Sequence, residues 1–465
     1  MAPPEAPAPP APHPEAPAPP APHHTTPARA SLGLAACVAI VIGNMVGSGF
    51  YLSPSAVAPY GILAIVAWIV MGVGAACLGL TFARLARFIP ATGGPYAYTR
   101  LAYGDFAGFI VAWGYWISIW ASLPVIAAAF TGSALTLWSG AHATRPLAVA
   151  ITLAAIWLVT LMNLRGVKEA GVFAEITTYA KLVPFTAIAI VGLLFIRIDH
   201  LPAFNPSGKS LLDASAALAP LTMFAYLGLE SATVPAGDVR DPEWTIPRAT
   251  MLGILVAALL YVLGTIVVFG VVPRETLIAS RAPFADAARL MWGPAAATAV
   301  SIAVIVSSLG ALNGWTLLMG QVPMAAAHDR VFPSVFGRVS SRGVPAIGIV
   351  ISAALASALV AVQAAGGAGF AAVYEMIVSL STMTAVVPYV FCSLAAGALG
   401  AQGGGWPRLT AVEGVAFAFS IFTVYGCGPA PVLYGFLLLL LGIPVYVWQR
   451  GERGRLGMLA ADRLR

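Results

Sequence analysis

Hydrophobic residues in this chain come in long uninterrupted runs rather than in the three- and four-residue spacing of an amphipathic helix. Runs of this kind cover residues 34–58, 62–85, 105–138, 147–164, 173–196, 215–237, 250–272, 285–326, 345–363, 370–397, 408–426 and 430–448. Most are close to the roughly 20 residues needed to cross a hydrocarbon core of about 30 Å. Lipid offers no hydrogen bonds to the backbone, so each run is expected to be helical. The third and eighth runs exceed the bilayer thickness, which predicts tilting or projection into solvent. The short alternating segments of a membrane β-barrel are not seen.

Composition sharpens this picture. The chain is 59% hydrophobic and 9% charged, against roughly 25% charged in a soluble domain. The formal net charge of +6 is a topology signal rather than a nucleic-acid footprint. With the N-terminus inside, seventeen of the 24 Lys and Arg residues fall on the cytoplasmic side, six fall on the other side, and Lys181 lies within a run. Such a bias predicts cytoplasmic termini and an even number of spans. The expected place is the inner membrane, as a multi-pass protein.

Three regions differ in kind. Residues 1–28 repeat the unit PEAPAPPAPH at 4–13 and 14–23. A Pro/Ala segment of this kind buries no core and is expected to be a disordered cytoplasmic tail. It lacks the basic start and apolar run of a signal peptide. Residues 29–450 hold the spans, and 451–465 form a basic C-terminal tail. Cys37, Cys77, Cys392 and Cys427 are scattered through apolar runs without a paired spacing, so buried free thiols are expected rather than a metal site or disulfide. No cofactor is expected.

Two runs are interrupted. The first contains Gly43-Asn44-Met45-Val46-Gly47-Ser48-Gly49, three glycines in seven residues. Each weakens a helix by roughly 1 kcal/mol relative to Ala. A helix broken in mid-membrane turns the amides of its second half towards an anionic group, so Gly47, Ser48 and Gly49 are candidates for binding a carboxylate. The Gly43/Gly47 spacing also fits close helix packing. The sixth run contains Phe224-Ala225-Tyr226-Leu227-Gly228-Leu229-Glu230, where a glycine and a carboxylate break the apolar sequence. Paired interruptions in corresponding positions point to an inverted repeat, with 34–196 as one unit, 215–397 as the other, and 408–448 outside both.

Ionisable groups inside spans cost about 3 kcal/mol or more and are functional candidates by default. Glu230 beside the second break is one; a carboxyl group in apolar surroundings holds its proton more readily, which suits a proton carrier. Its alternative is a structural carboxylate bonded to unwound backbone. Lys181, about nine residues into the fifth run, is the other. It could give up a proton, stand in for a bound cation, or snorkel to the interface. No His-rich or paired-carboxylate constellation lies in the spans, so an enzyme is not expected.

Four stretches carry a family resemblance: GNMVGSGFYLSPSAVAPYG (43–61), GGPYAYTRLAYG (93–104), FAYLGLESATVPAGDVRDPEWTIPRAT (224–250) and SLGALNGWTLLMGQVPMAAAHD (308–329). They resemble the amino acid–polyamine–organocation (APC) superfamily, most closely the basic amino acid/polyamine antiporter group that includes the bacterial arginine/agmatine antiporters. The resemblance implies an all-α membrane protein of about twelve helices, with a LeuT-like 5+5 inverted repeat and broken first and sixth helices. It implies alternating access, with an amino acid or amine as substrate, protons as coupling partner, and a second copy of the chain as a compatible partner.

Residue by residue, Asn44, Met45, Ser48 and Gly49 match first-span substrate residues. Glu230 matches a pH-sensing glutamate, and Trp315 an aromatic that closes over the substrate. Ser379 or Ser381 matches a tenth-span serine, with Ser381 preferred. Phe224 stands where the antiporters have tryptophan, Leu123 where they have a guanidinium-binding asparagine, and Ile126 where they have methionine. Phe224 and Leu227 are expected at the substrate. Lys181 is similar to a lysine of proton-coupled permeases in the same superfamily. The implied pocket is more apolar than an arginine site, which suits a neutral or mixed amino acid. Exchange and proton-coupled movement of neutral amino acids both remain open, and a sensor or channel on the same scaffold is the competitor from another class.

Overall fold

The computed structural model describes residues 32–89, 93–138, 144–166, 177, 181–234, 236, 239–366, 370–403 and 410–451. Both predicted tails and most of 173–180 lie outside the described residues. No β-strand occurs among the described residues; one parallel bridge joins Leu32 to Val239.

The helices run in chain order: α1 (Leu34–Met45), α2 (Ser48–Tyr51), α3 (Ser53–Val57), α4 (Leu63–Phe88), α5 (Pro95–Tyr103), α6 (Asp105–Trp138) and α7 (Arg145–Arg165). After them come α8 (Lys181–Phe195) and α9 (Leu211–Tyr226), α10 (Pro242–Val271), α11 (Arg274–Ala279), α12 (Pro283–Trp292), α13 (Pro294–His328), α14 (Ala346–Ala365), α15 (Phe370–Gly403) and α16 (Ala411–Gly426). The last is α17 (Pro429–Gly451). Among the described residues, eight helices are long and apolar enough to cross a membrane: α4, α6, α7, α10, α13, α14, α15 and α17. Four shorter apolar helices, α1, α8, α9 and α16, accompany them.

The surface shows which solvent these helices are built for. On α4, Val66, Ile69, Val70 and Val73 recur at three, four and seven residues, yet all four are exposed. In water such a stripe would face the core; here it faces outward, because lipid is the solvent. The interior carries the polar residues. Trp116 Nε1 donates to Ser352 Oγ at 2.7 Å, joining α6 to α14. Asn163 Nδ2 donates to Asn313 Oδ1 at 2.9 Å, joining α7 to α13. Thr131 and Thr152 hydroxyls pair at 2.8 Å between α6 and α7. Such bonds are the glue of helices that gain no hydrophobic drive from their surroundings.

One boundary departs from the sequence reading. The eighth run, read as one long helix over 285–326, is two. Gly293 has φ of +88° and is followed by Pro294 at the first turn of α13. A glycine in the left-handed region and a proline without an amide end one helix and start another, whatever the hydrophobicity. The sixth run stops being α-helical at Tyr226, next to the interruption expected at Gly228. By contrast α6 continues through Pro124 without a break.

Candidate functional site

The first interruption falls where the glycines cluster. α1 ends at Met45, Val46 takes φ −80° and ψ 86°, and α2 starts at Ser48. A helix end in apolar surroundings leaves carbonyls that need partners. They come from other spans. Lys181 Nζ of α8 donates to Gly43 O at 2.8 Å and Val46 O at 2.7 Å. The Tyr261 hydroxyl of α10 lies 2.8 Å from Met45 O. Trp315 Nε1 of α13 donates to Asn44 O at 3.4 Å. Lys181, 2% exposed, is therefore no snorkelling residue; its ammonium sits on the negative end of α1.

The second interruption is built by one glycine. Leu227 is extended (φ −60°, ψ 140°), and Gly228 has φ of +97°. A side chain at Gly228 would be strained by this φ and would also press on Asn44 Cβ at 3.0 Å, so glycine is the residue best suited here. A 3₁₀ turn over Ser231–Thr233 follows. The Ser231 hydroxyl donates to Gly228 O and accepts from Asn44 Nδ2 at 2.9 Å.

Glu230 is fully buried. The Tyr115 hydroxyl of α6 donates to its Oε1, and Tyr389 of α15 donates to its Oε2 at 2.5 Å. Each carboxyl oxygen thus has one tyrosine hydroxyl as its partner.

The two breaks lie against each other. A Cβ on Gly49 would approach Ala225 Cα to 2.9 Å and Phe224 Cδ1 to 3.0 Å. A Cβ on Gly314 would meet Asn44 Oδ1 at 2.3 Å, so Asn44 is seated between Gly228 and Gly314. Tyr261 bridges the pair: the hydroxyl that reaches Met45 O also lies 2.7 Å from Ala225 O. One hydroxyl hydrogen thus serves the ends of both half-helices.

Of the candidates read from sequence, Asn44, Met45, Gly47, Gly49, Phe224, Leu227, Glu230, Trp315 and Lys181 gather at or beside these breaks, as does the main chain of Ser48. Ser381 does not face them in the same way. Its hydroxyl lies 2.5 Å from Ser122 Oγ and donates to Ser118 O at 3.0 Å, in the seam between α15 and α6. Leu123 and Ile126 are buried on α6. The sequence reading missed Tyr115, Tyr389, Tyr261 and Ser231. The signal for the last was its place one residue after Glu230. The tyrosines had none, since an aromatic in an apolar run reads as packing.

A family model described as amino acid permease matches residues 32–445. The chain is 29% identical over 422 residues to the putrescine transporter PotE of Haemophilus influenzae, covering 89% of this chain and 96% of that protein. It is 27% identical to the putrescine transporter PotE of Escherichia coli, covering 89% and 95%. It is 32% identical over 364 residues to the cadaverine/lysine antiporter of Escherichia coli, covering 77% and 82%. With its helices, its interrupted pair and this match over nearly all the described residues, the chain belongs to the amino acid permease family of the APC superfamily and is a multi-pass membrane protein.

Proposed function

We propose that this protein is a secondary carrier exchanging a basic amino acid for a diamine, by alternating access around the two helix breaks. The observation that carries the proposal is the contact between the interruptions at Val46–Gly47 and Leu227–Gly228, with a buried carboxylate beside them. The relatives named for putrescine, cadaverine and lysine support the substrate class. In this reading the eight long and four shorter apolar helices are twelve spans. The first ten form the 5+5 inverted repeat, with both termini cytoplasmic.

The geometry supports the following roles. The Gly47 amide already donates to Met45 O at 3.0 Å, so the amides of Ser48 and Gly49 bind the carboxylate by direct hydrogen bonds; α2 is only four residues long, so its dipole adds little. Carbonyls at the ends of α1 and α9 already accept from Lys181, Tyr261 and Trp315; their second lone pairs, with Asn44, take the α-ammonium. Met45, Phe224, Leu227 and Trp315 enclose the side chain. A diamine lacks the carboxylate and relies on the carbonyl ends. Glu230, clasped by Tyr115 and Tyr389, closes one side of the path by tying the second break to α6 and α15. Lys181 links the first break to protons.

A second reading, proton-coupled movement of a neutral amino acid, draws on the apolar Leu123 and Ile126 and on Lys181 itself. Proteoliposomes decide between them. Vesicles preloaded with lysine, arginine, agmatine, putrescine, cadaverine or leucine are offered labelled cadaverine or leucine, with and without a pH gradient. The account expects saturable cadaverine uptake that requires an internal counter-substrate. Gradient-driven leucine uptake into empty vesicles would favour the second reading. Unsaturable flux, or binding without flux, would favour the channel or sensor.

A further inference from the structure

Away from the breaks, α6, α7, α14 and α15 leave a cavity of about 380 Å³ between them. Its wall is mainly apolar, with Val125, Val149, Val360 and Ile377 among the lining residues. Its few polar neighbours include Arg145 and Arg281. Arg145 starts α7 and Arg281 lies between α11 and α12. Both are exposed.

The position of Arg281 is a built feature. A Cβ on Gly132 would come within 2.5 Å of Arg281 O, so the glycine lets this loop press onto α6 at the cavity. Arg145 is held as well, with Nη2 donating to Gln363 O at the end of α14 at 2.8 Å. A guanidinium has five donor hydrogens in a fork that matches phosphate, and this contact uses one. Of the hydroxyls on the wall, Thr131 and Thr152 bond to each other.

An apolar slot lined by two arginines repels a diamine or a cationic amino acid, so it does not suit the substrates of the central site. It suits an amphiphile with an anionic head. Two of its walls, α7 and α14, present exposed Leu161 and Val362 to the lipid. We propose that the cavity binds one acyl chain of an anionic phospholipid, whose phosphate is held by Arg145 and Arg281. This site is independent of the exchange reading.

Purified protein in detergent is titrated with phosphatidylglycerol, phosphatidylcholine or inorganic phosphate, reading the unfolding midpoint. Native mass spectrometry counts the lipid retained. Phosphatidylglycerol is expected to raise the midpoint and to remain bound as one molecule, with a weaker effect from phosphatidylcholine and none from phosphate. Substituting Arg145→Gln with Arg281→Gln lowers phosphatidylglycerol affinity about 25-fold, at roughly fivefold per arginine. Val149→Trp, which fills the slot and keeps both arginines, abolishes retention. Equal effects of the two lipids, an unchanged preference in the arginine variant, or the same shift with phosphate alone overturns the proposal. The wild-type comparison of the three ligands stands even where a variant fails to fold.

Discussion

Lys181 and Tyr261 hold the same kind of partner, a carbonyl freed at a helix end, but with different chemistry. The Lys181 ammonium brings a charge to Gly43 O and Val46 O, and charge-assisted bonds are roughly twice as strong as neutral ones. Replacing it by Ala leaves two buried carbonyls without a donor. In the exchange account, Lys181→Ala retains counter-substrate-driven uptake and loses its response to a pH gradient. Uptake measured against internal substrate and against an imposed gradient separates the two, and a variant that keeps its full gradient response contradicts the role. Tyr261→Phe removes one oxygen from between Met45 O and Ala225 O. An unmade buried bond costs about 1–3 kcal/mol, so the variant is expected to unfold several degrees lower and to exchange more slowly. An unchanged midpoint and rate would mean that the hydroxyl ties nothing together.

How much of this was legible depended on rarity. Lys181 and Glu230 stood out because charged side chains inside apolar runs cost free energy and need a reason; Asn44 entered only through the family resemblance. Tyr115, Tyr389 and Tyr261 were silent, since the hydroxyl direction exists only after the spans pack. Ser381 was visible as a polar residue, but its pairing with Ser122 depends on the register of α15 against α6.

At the scale of the element, both breaks could be read from glycine, yet for different reasons in each case. Gly228 is required by its positive φ. Gly49 is required by its neighbour, since Ala225 Cα would lie 2.9 Å from a Cβ there, and Gly47 is favoured by a tight fit, with Ala311 Cβ 3.1 Å from a Cβ on it. The glycines after α1 thus combine an interruption with a close approach of Gly49 to α9. The division of the eighth run at Gly293-Pro294 escaped a reading based on hydrophobicity, because α12 and α13 are both apolar enough to continue one run. Asn44 shows how an element can depend on glycines in two others. Gly314→Ala would meet Asn44 Oδ1 at 2.3 Å and displace it from Ser231. The expected result is weaker substrate binding with little loss of stability, checked by ligand titration alongside thermal unfolding; unaltered binding would remove Asn44 from the site.

For the molecule as a whole, the exposed apolar stripes and buried polar bonds follow from exchanging water for lipid as solvent, and composition alone made this legible. Sidedness rests on the uneven spread of arginine and lysine. A membrane-impermeant maleimide applied to intact cells is expected to label Ala203→Cys, in the loop before α9, and to leave Ser341→Cys, in the loop before α14, unlabelled until the cells are opened. The reverse pattern would invert the topology.

The account rests on the two breaks forming one substrate site. Equilibrium binding of labelled lysine and cadaverine to purified wild type and Gly49→Ala tests it directly, because the added methyl group intrudes only where α2 meets Ala225 and Phe224. Saturable binding by the wild type, with a loss of affinity for both ligands in a variant that unfolds within a few degrees of it, is the predicted result. Equal affinities in the two proteins would contradict it.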